Sequence, residues 1–147
     1  MELTQSDARK LFLKQQGLLR DNEFGRGKNA TNKAIQRLSY VQIDTISVIN
    51  RAHQHVLYNR VGNYNPTHLE KLVQQREVFE YWSHAAAFLP FKDFRYSLPV
   101  MKGFGNTRQC DDKLKAEVLA RIRAEGPLQP RDFEDTSGRK RGGWWEW

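Results

Sequence analysis

The chain has 147 residues, enough for one domain or one and a part, and 39% hydrophobic with 12% aromatic residues allow a packed core. Its formal net charge is +7, with 10 Lys and Arg against 5 Asp and Glu over residues 1–60 and 14 against 12 over residues 61–147; this points to a polyanionic partner, nucleic acid before an anionic membrane surface. Cys110 is the only cysteine, which excludes an internal disulfide and a thiolate zinc site and agrees with a reducing cytoplasm; the start (MELTQSDARK) lacks the apolar core of a signal peptide, and the longest apolar run, 85–91, is too short to span a bilayer.

Thr4 or Ser6 caps a first predicted helix, with Asp7 in its first turn and Ala8, Leu11, Phe12 and Gln15 as a buried stripe. Gly17 ends it. Residues 21–28 (DNEFGRGK) are turn-rich and basic. They lack the spacing of a phosphate loop. They read as a surface loop, or as a contact to a DNA backbone through Arg26 or Lys28. Thr31 caps a second helix through about Ser39, with Ala34, Ile35 and Leu38 inward.

Residues 41–60 (VQIDTISVINRAHQHVLYNR) begin with the alternation of a strand. Val41 and Ile43 then face a core, and Gln42 and Asp44 project together from the other face. From Ile46 the period becomes helical through Ile49, Ala52, Val56 and Leu57. Arg51, His53 and His55 fall inside that helix and Arg60 closes it. An acid and an amide on one strand face, followed by two histidines and two arginines, have the chemistry of a site. Each also has a plainer reading. Asp44 suits a helix N-cap, Gln42 an exposed strand position, and His53 shares a stripe with apolar residues.

Residues 62–66 (GNYNP) form a turn, and Pro66 starts a third helix with Leu69, Leu72 and Val73 apolar. Residues 77–84 (EVFEYWSH) read as a second strand. Phe79, Tyr81 and Ser83 share one face; Glu80, Trp82 and His84 share the other. Glu80, Trp82 and His84, an acid, a large aromatic and a histidine, are a second candidate constellation, although aromatics on strands are usually core. A further helix runs from about Phe91 to Tyr96, before Pro99. Residues 102–111 read as a linker. Asp112 caps an amphipathic helix with Leu114, Val118, Leu119 and Ile122, and Gly126-Pro127 stops it. Leu128–Phe133 restarts a helix, as at the opening of a helix-turn-helix. The chain ends in Trp144, Trp145 and Trp147, so the expectation is the N-terminal part of a longer protein.

These segments, above all VQIDTISVINRAHQHVLYNR, FEYWSHAAAFLP and VLARIRAEGPLQPRDFED followed by GGWWEW, resemble the bacterial winged-helix DNA glycosylases of the AlkZ and AlkX (YcaQ) type. The resemblance implies a mainly helical α+β fold of tandem winged helix-turn-helix domains. It implies an N-terminal winged-helix-like domain over residues 1–101 and the start of a second over 112–147. The family's catalytic motif, Gln–apolar–Gln or Asp, falls here on Gln42-Ile43-Asp44, the form of the branch that removes N7-alkylated guanines and unhooks interstrand crosslinks. Asp44 is the expected catalytic carboxylate and Gln42 its partner. Trp82 and His84 line the site with His53 and His55, and Arg51, Arg60, Arg26 and Lys28 are candidate phosphate contacts. No metal or cofactor is expected; the expected partner is double-stranded DNA with alkylated or crosslinked bases. The competing reading is a non-catalytic winged-helix DNA-binding regulator, for which a carboxylate near phosphates would be a handicap. A protein-interaction scaffold would not need the positive charge.

Overall fold

The computed structural model describes residues 3–43, 49–107 and 111–133. Over them the chain is a mainly helical α+β protein with a small antiparallel sheet, as the sequence predicts. The fold has two compact units, residues 1–103 and 104–147.

Helix α1 (Gln5–Gln15) starts where Thr4 predicts: Thr4 Oγ1 accepts from the Asp7 amide at 3.1 Å and donates to the Asp7 carboxylate at 2.6 Å. It ends before Gly17, whose φ of +62° favours glycine; a Cβ there would stand 2.2 Å from the Phe24 ring. The predicted buried stripe is not found. Helix α1 buries no residue, and Leu11 and Phe12 are exposed.

Helix α2 (Gly27–Leu38) begins five residues earlier than predicted, with Arg26 at its N-cap. Thr31 is not its cap but lies buried inside it, its hydroxyl donating to the Gly27 carbonyl at 3.1 Å. The helix start is fixed instead by backbone pairing: Gly27 N donates to Gly62 O and Gly62 N to Gly25 O. The inward face of α2 is Ala30, Thr31, Ala34 and Ile35, one stripe at helical spacing.

Three strands follow: β1 (Val41–Gln42), β2 (Val78–Trp82) and β3 (Ala86–Pro90), in the order β1-β3-β2, all antiparallel neighbours. Between β1 and β2 lie helix α3 (Ala52–Tyr58) and helix α4 (Pro66–Gln74). Helix α3 is shorter than predicted: Ile49 stands outside it and is 88% exposed, and residues 44–48 lie outside the described ones. Helix α4 starts at Pro66 as predicted, with Asn65 accepting from the Thr67 amide in a capping box with His68.

The core gathers Ile35 from α2, Val41 from β1, Leu57 from α3, Leu69 and Leu72 from α4 and Val78 from β2, with Phe24, Leu38, Tyr64 and Phe88 packed around it. Phe79 points to the other side of the sheet. It meets Phe91 and Phe94 edge-on, and those two rings stack on each other at 5.3 Å. Phe91 lies in a 3-10 turn (Phe91–Asp93) and Phe94 opens helix α5 (Phe94–Thr107), which continues through Pro99 and through much of the stretch predicted as a linker. In the second unit, Asp111 rather than Asp112 caps helix α6 (Asp112–Glu125). Gly126 ends it as predicted. Leu114, Leu119 and Ile122 on this helix are exposed. The expected helix restart is a single 3-10 turn, Pro130–Asp132.

Candidate active site

The sheet register decides which side chains share a face. Val41 stands opposite Phe88, and Phe88 opposite Glu80; Gln42 stands opposite Ala87, and Ala87 opposite Tyr81. The first row belongs to the core face, where Val41 is 1% exposed. Gln42 is exposed on the opposite face, as the alternation predicts. Ile43 is half-buried and donates its amide to the Ala86 carbonyl at 2.8 Å. The Gln42-Ile43 segment therefore runs toward the β2–β3 turn. Asp44 lies outside the described residues.

That turn is Ser83-His84-Ala85, closed by Ser83 N donating to Ala85 O. Strand β2 thus stops at Trp82, two residues short of the prediction, and His84 sits in the turn rather than on a strand face. Its ring stacks on Tyr40 with centroids 4.8 Å apart and planes 16° apart, while Tyr40 Oη donates to the Ala85 carbonyl. Trp82 is 61% exposed. The sheet therefore brings Gln42, Trp82 and His84 to one end, from both edge strands and the turn, with Gln42 and Trp82 on opposite faces.

Helix α3 carries the next group. Arg51 is its N-cap residue rather than an interior one, and is exposed; its amide donates to Asn50 Oδ1. His55 is exposed, with Nε2 at 3.2 Å from the Asn50 carbonyl. His53 is buried and meets the edge of Phe88 at 5.4 Å. Tyr64 Oη donates to Gln54 Oε1 at 2.6 Å, which turns the Gln54 amide nitrogen toward His53 Nε2 at 2.9 Å. On that network the His53 proton sits on Nδ1, which is buried without a hydrogen-bond partner among the described residues. Burial pushes the Tyr64 phenol up to about 12, helped by the charge of Glu70. Burial, and then the charge of Arg51, hold His53 below its ordinary 6.5. His53 lines a cavity of about 400 Å³ with Gln54, Leu69, Glu70 and Phe88.

A pH effect follows. On acidification the unfolded chain takes up the His53 proton before the folded one does. Stability then falls as pH drops from above the ordinary 6.5 to below it, and levels off below the folded value. The His53→Gln variant should lose part of this slope in a comparison of melting temperatures above and below that pH. An unchanged slope would remove His53 as its source.

The remaining basic candidates are distributed differently. Arg60 is buried: Nε donates to the Gln16 carbonyl and Nη1 to the Val56 carbonyl, both at 2.8 Å, and burial lowers its pKa. It clasps the end of α1 to α3. Arg26 is exposed at the N-cap of α2, its backbone bridged to Gly62. Lys28 Nζ donates to the Gln75 side chain. These residues anchor α2 and α4, and no contact joins them to Gln42, Trp82 or His84 among the described residues. Among those residues, too, no three His, Cys, Asp or Glu side chains converge as a metal site requires.

A cleft of about 320 Å³ between β2 and α5, lined by Tyr81, Trp82, Leu89, Asp93 and Tyr96 among others, is not apparent from the sequence. Its signal is spread over two elements, and only the alternation of Tyr81 with Trp82 was visible in advance.

A family model described as DNA glycosylase AlkZ-like matches residues 35–147. The match takes in Gln42, Asp44, the α3 residues and the β2–β3 hairpin; Arg26 and Lys28 precede it. No solved structure matches the chain.

Proposed function

We propose, because the chain belongs to the AlkZ-like DNA glycosylase family, that it hydrolyses the N-glycosidic bond of N7-alkylated guanine in double-stranded DNA, including guanines held in interstrand crosslinks. The observation that carries this reading is the motif Gln42-Ile43-Asp44 within the matched segment, with Gln42 exposed on the sheet face away from the core.

The chemistry follows from the substrate. A guanine alkylated at N7 is cationic, so the electrons of the breaking C1′–N9 bond neutralise a positive ring and the base departs without prior protonation. The sugar left behind has oxocarbenium character, as in glycoside hydrolysis generally. The Asp44 carboxylate stabilises that charge and accepts a proton from the water that adds to C1′. Gln42 orients the water or the nucleotide through its amide. No metal is needed to activate such a leaving group. Arg51, His55, Arg26 and Lys28 hold the phosphates, Trp82 and His84 contact the strand near the lesion, and Arg60 supports the fold behind them. His53 acts through packing rather than direct contact.

Incubation of the whole protein with a duplex carrying N7-methylguanine should leave abasic sites, read as strand breaks after alkali. Binding without abasic sites would favour the regulator instead. DNA affinity should fall with salt, by about 0.9 log units per log unit of salt for each phosphate contacted. The net charge of +7 motivates this expectation. Affinity that is flat from low to moderate salt would contradict it.

A further inference from the structure

We propose that the cleft between β2 and α5 receives the damaged base, with Asp93 accepting hydrogen bonds from its donor edge and Trp82, Tyr81 and Tyr96 flanking its rings. This rests on the excision reading above and adds the residues that choose the lesion.

Three observations converge on the cleft. Its walls are aromatic and open to solvent: Trp82 is 61% and Tyr96 65% exposed. Trp82 makes no ring contact among the described residues, although stacking surface of this kind is costly to leave in water. Arg95 covers one face of Tyr96 at 4.7 Å and donates to its hydroxyl at 2.7 Å, yet it does not line the cleft. Asp93 is half-buried at the cleft wall, and its carboxylate has no hydrogen-bond or ion-pair partner among the described residues. Finally, Tyr81 lies in the cross-strand row Gln42–Ala87–Tyr81. Two strand spacings, about 10 Å, separate it from Gln42 on the same face, a span that a nucleoside can bridge.

The chemistry selects the occupant. Enzymes that take a base out of the stack read it by its Watson–Crick edge and by stacking on aromatic side chains. Guanine presents two neighbouring donors on that edge, N1–H and the 2-amino group. A carboxylate has two acceptor oxygens to meet them. Alkylation at N7 makes the ring cationic, and aromatic faces beside an anionic carboxylate attract a cation more than a neutral base. The cleft thus favours N7-alkylated guanine over unmodified guanine. Asp93 also stands at the entry to α5, where an acid suits the helix end. Asp93 makes no capping hydrogen bond there among the described residues, so the Asp93→Asn variant removes the charge without removing a cap.

The test uses the whole protein and its variants Asp93→Asn and Tyr96→Ala. Calorimetry should show 7-methylguanosine binding more tightly than guanosine. The Asp93→Asn variant should weaken 7-methylguanosine about tenfold or more, with an unchanged melting temperature. On duplex DNA with N7-methylguanine, both variants should excise more slowly while holding undamaged duplex as tightly as the parent. No binding of 7-methylguanosine, equal binding of the two nucleosides, or parental binding by the Asp93→Asn variant would overturn the assignment. Parental excision rates in both variants would overturn it too, while leaving the glycosylase reading intact. Absence of excision by the parent would instead strike that reading, and the nucleoside measurement would still judge the cleft.

Discussion

The Asp44→Asn variant should excise N7-methylguanine about 10²- to 10⁴-fold more slowly than the parent, the range that a positioned acid–base group contributes. Its affinity for DNA should hold or rise, because the lost charge repelled phosphates. The substitution keeps size and shape and removes only the negative charge. The plainer role of Asp44, a helix N-cap, predicts a different pattern: asparagine caps about as well as aspartate, so neither rate nor melting temperature should move. Single-turnover excision, DNA binding and melting curves on the same preparation separate the two. Excision close to the parent's would take Asp44 out of the chemistry.

The largest effect on folding should come from Leu57→Ala. Leu57 is fully buried where α3 meets the core of Ile35, Val41, Leu69 and Val78. Removing its isobutyl group takes apolar surface out of that core and leaves a cavity that the surrounding helices only partly close. The expected loss is about 2–5 kcal/mol, in line with other leucine truncations in well-packed cores. Urea unfolding should show a lower midpoint with a similar slope. A loss below about 1 kcal/mol would mean that the α3 contact is loosely packed.

The sequence made the helices legible wherever a local signal set them. Thr4 and Pro66 marked the starts of α1 and α4, and Gly17 and Gly126 marked the ends of α1 and α6. The alternation of Val41 and Gln42 gave the right facing for the motif strand. Other features were decided at long range. Strand β3 is built from Ala86, Ala87, Phe88, Leu89 and Pro90. Alanine and proline are poor strand formers, and the Ser83-His84-Ala85 turn lacks glycine or asparagine. Only pairing on both sides makes this segment a strand. The start of α2 was hidden because a backbone pairing with Gly62 sets it. Periodicity along α1 showed an apolar stripe but could not show what covers it, and Leu11 and Phe12 are exposed. Arg60 looked like a phosphate ligand because a buried arginine cannot be told from an exposed one until the carbonyls it meets, Gln16 and Val56, are known.

The strand order also sets a sequence of assembly. Strands β2 and β3 are joined by a three-residue turn and can zip together on the microsecond timescale of hairpins. Among the described residues strand β1 is two residues long and pairs with β3 alone, across the whole of α3 and α4. Closing that larger loop carries an entropy cost that the short strand cannot meet by itself. The hairpin is therefore expected to form first as the template, with the motif strand added later. During synthesis Gln42 emerges early, but the surface that orients it exists only after Pro90 has followed.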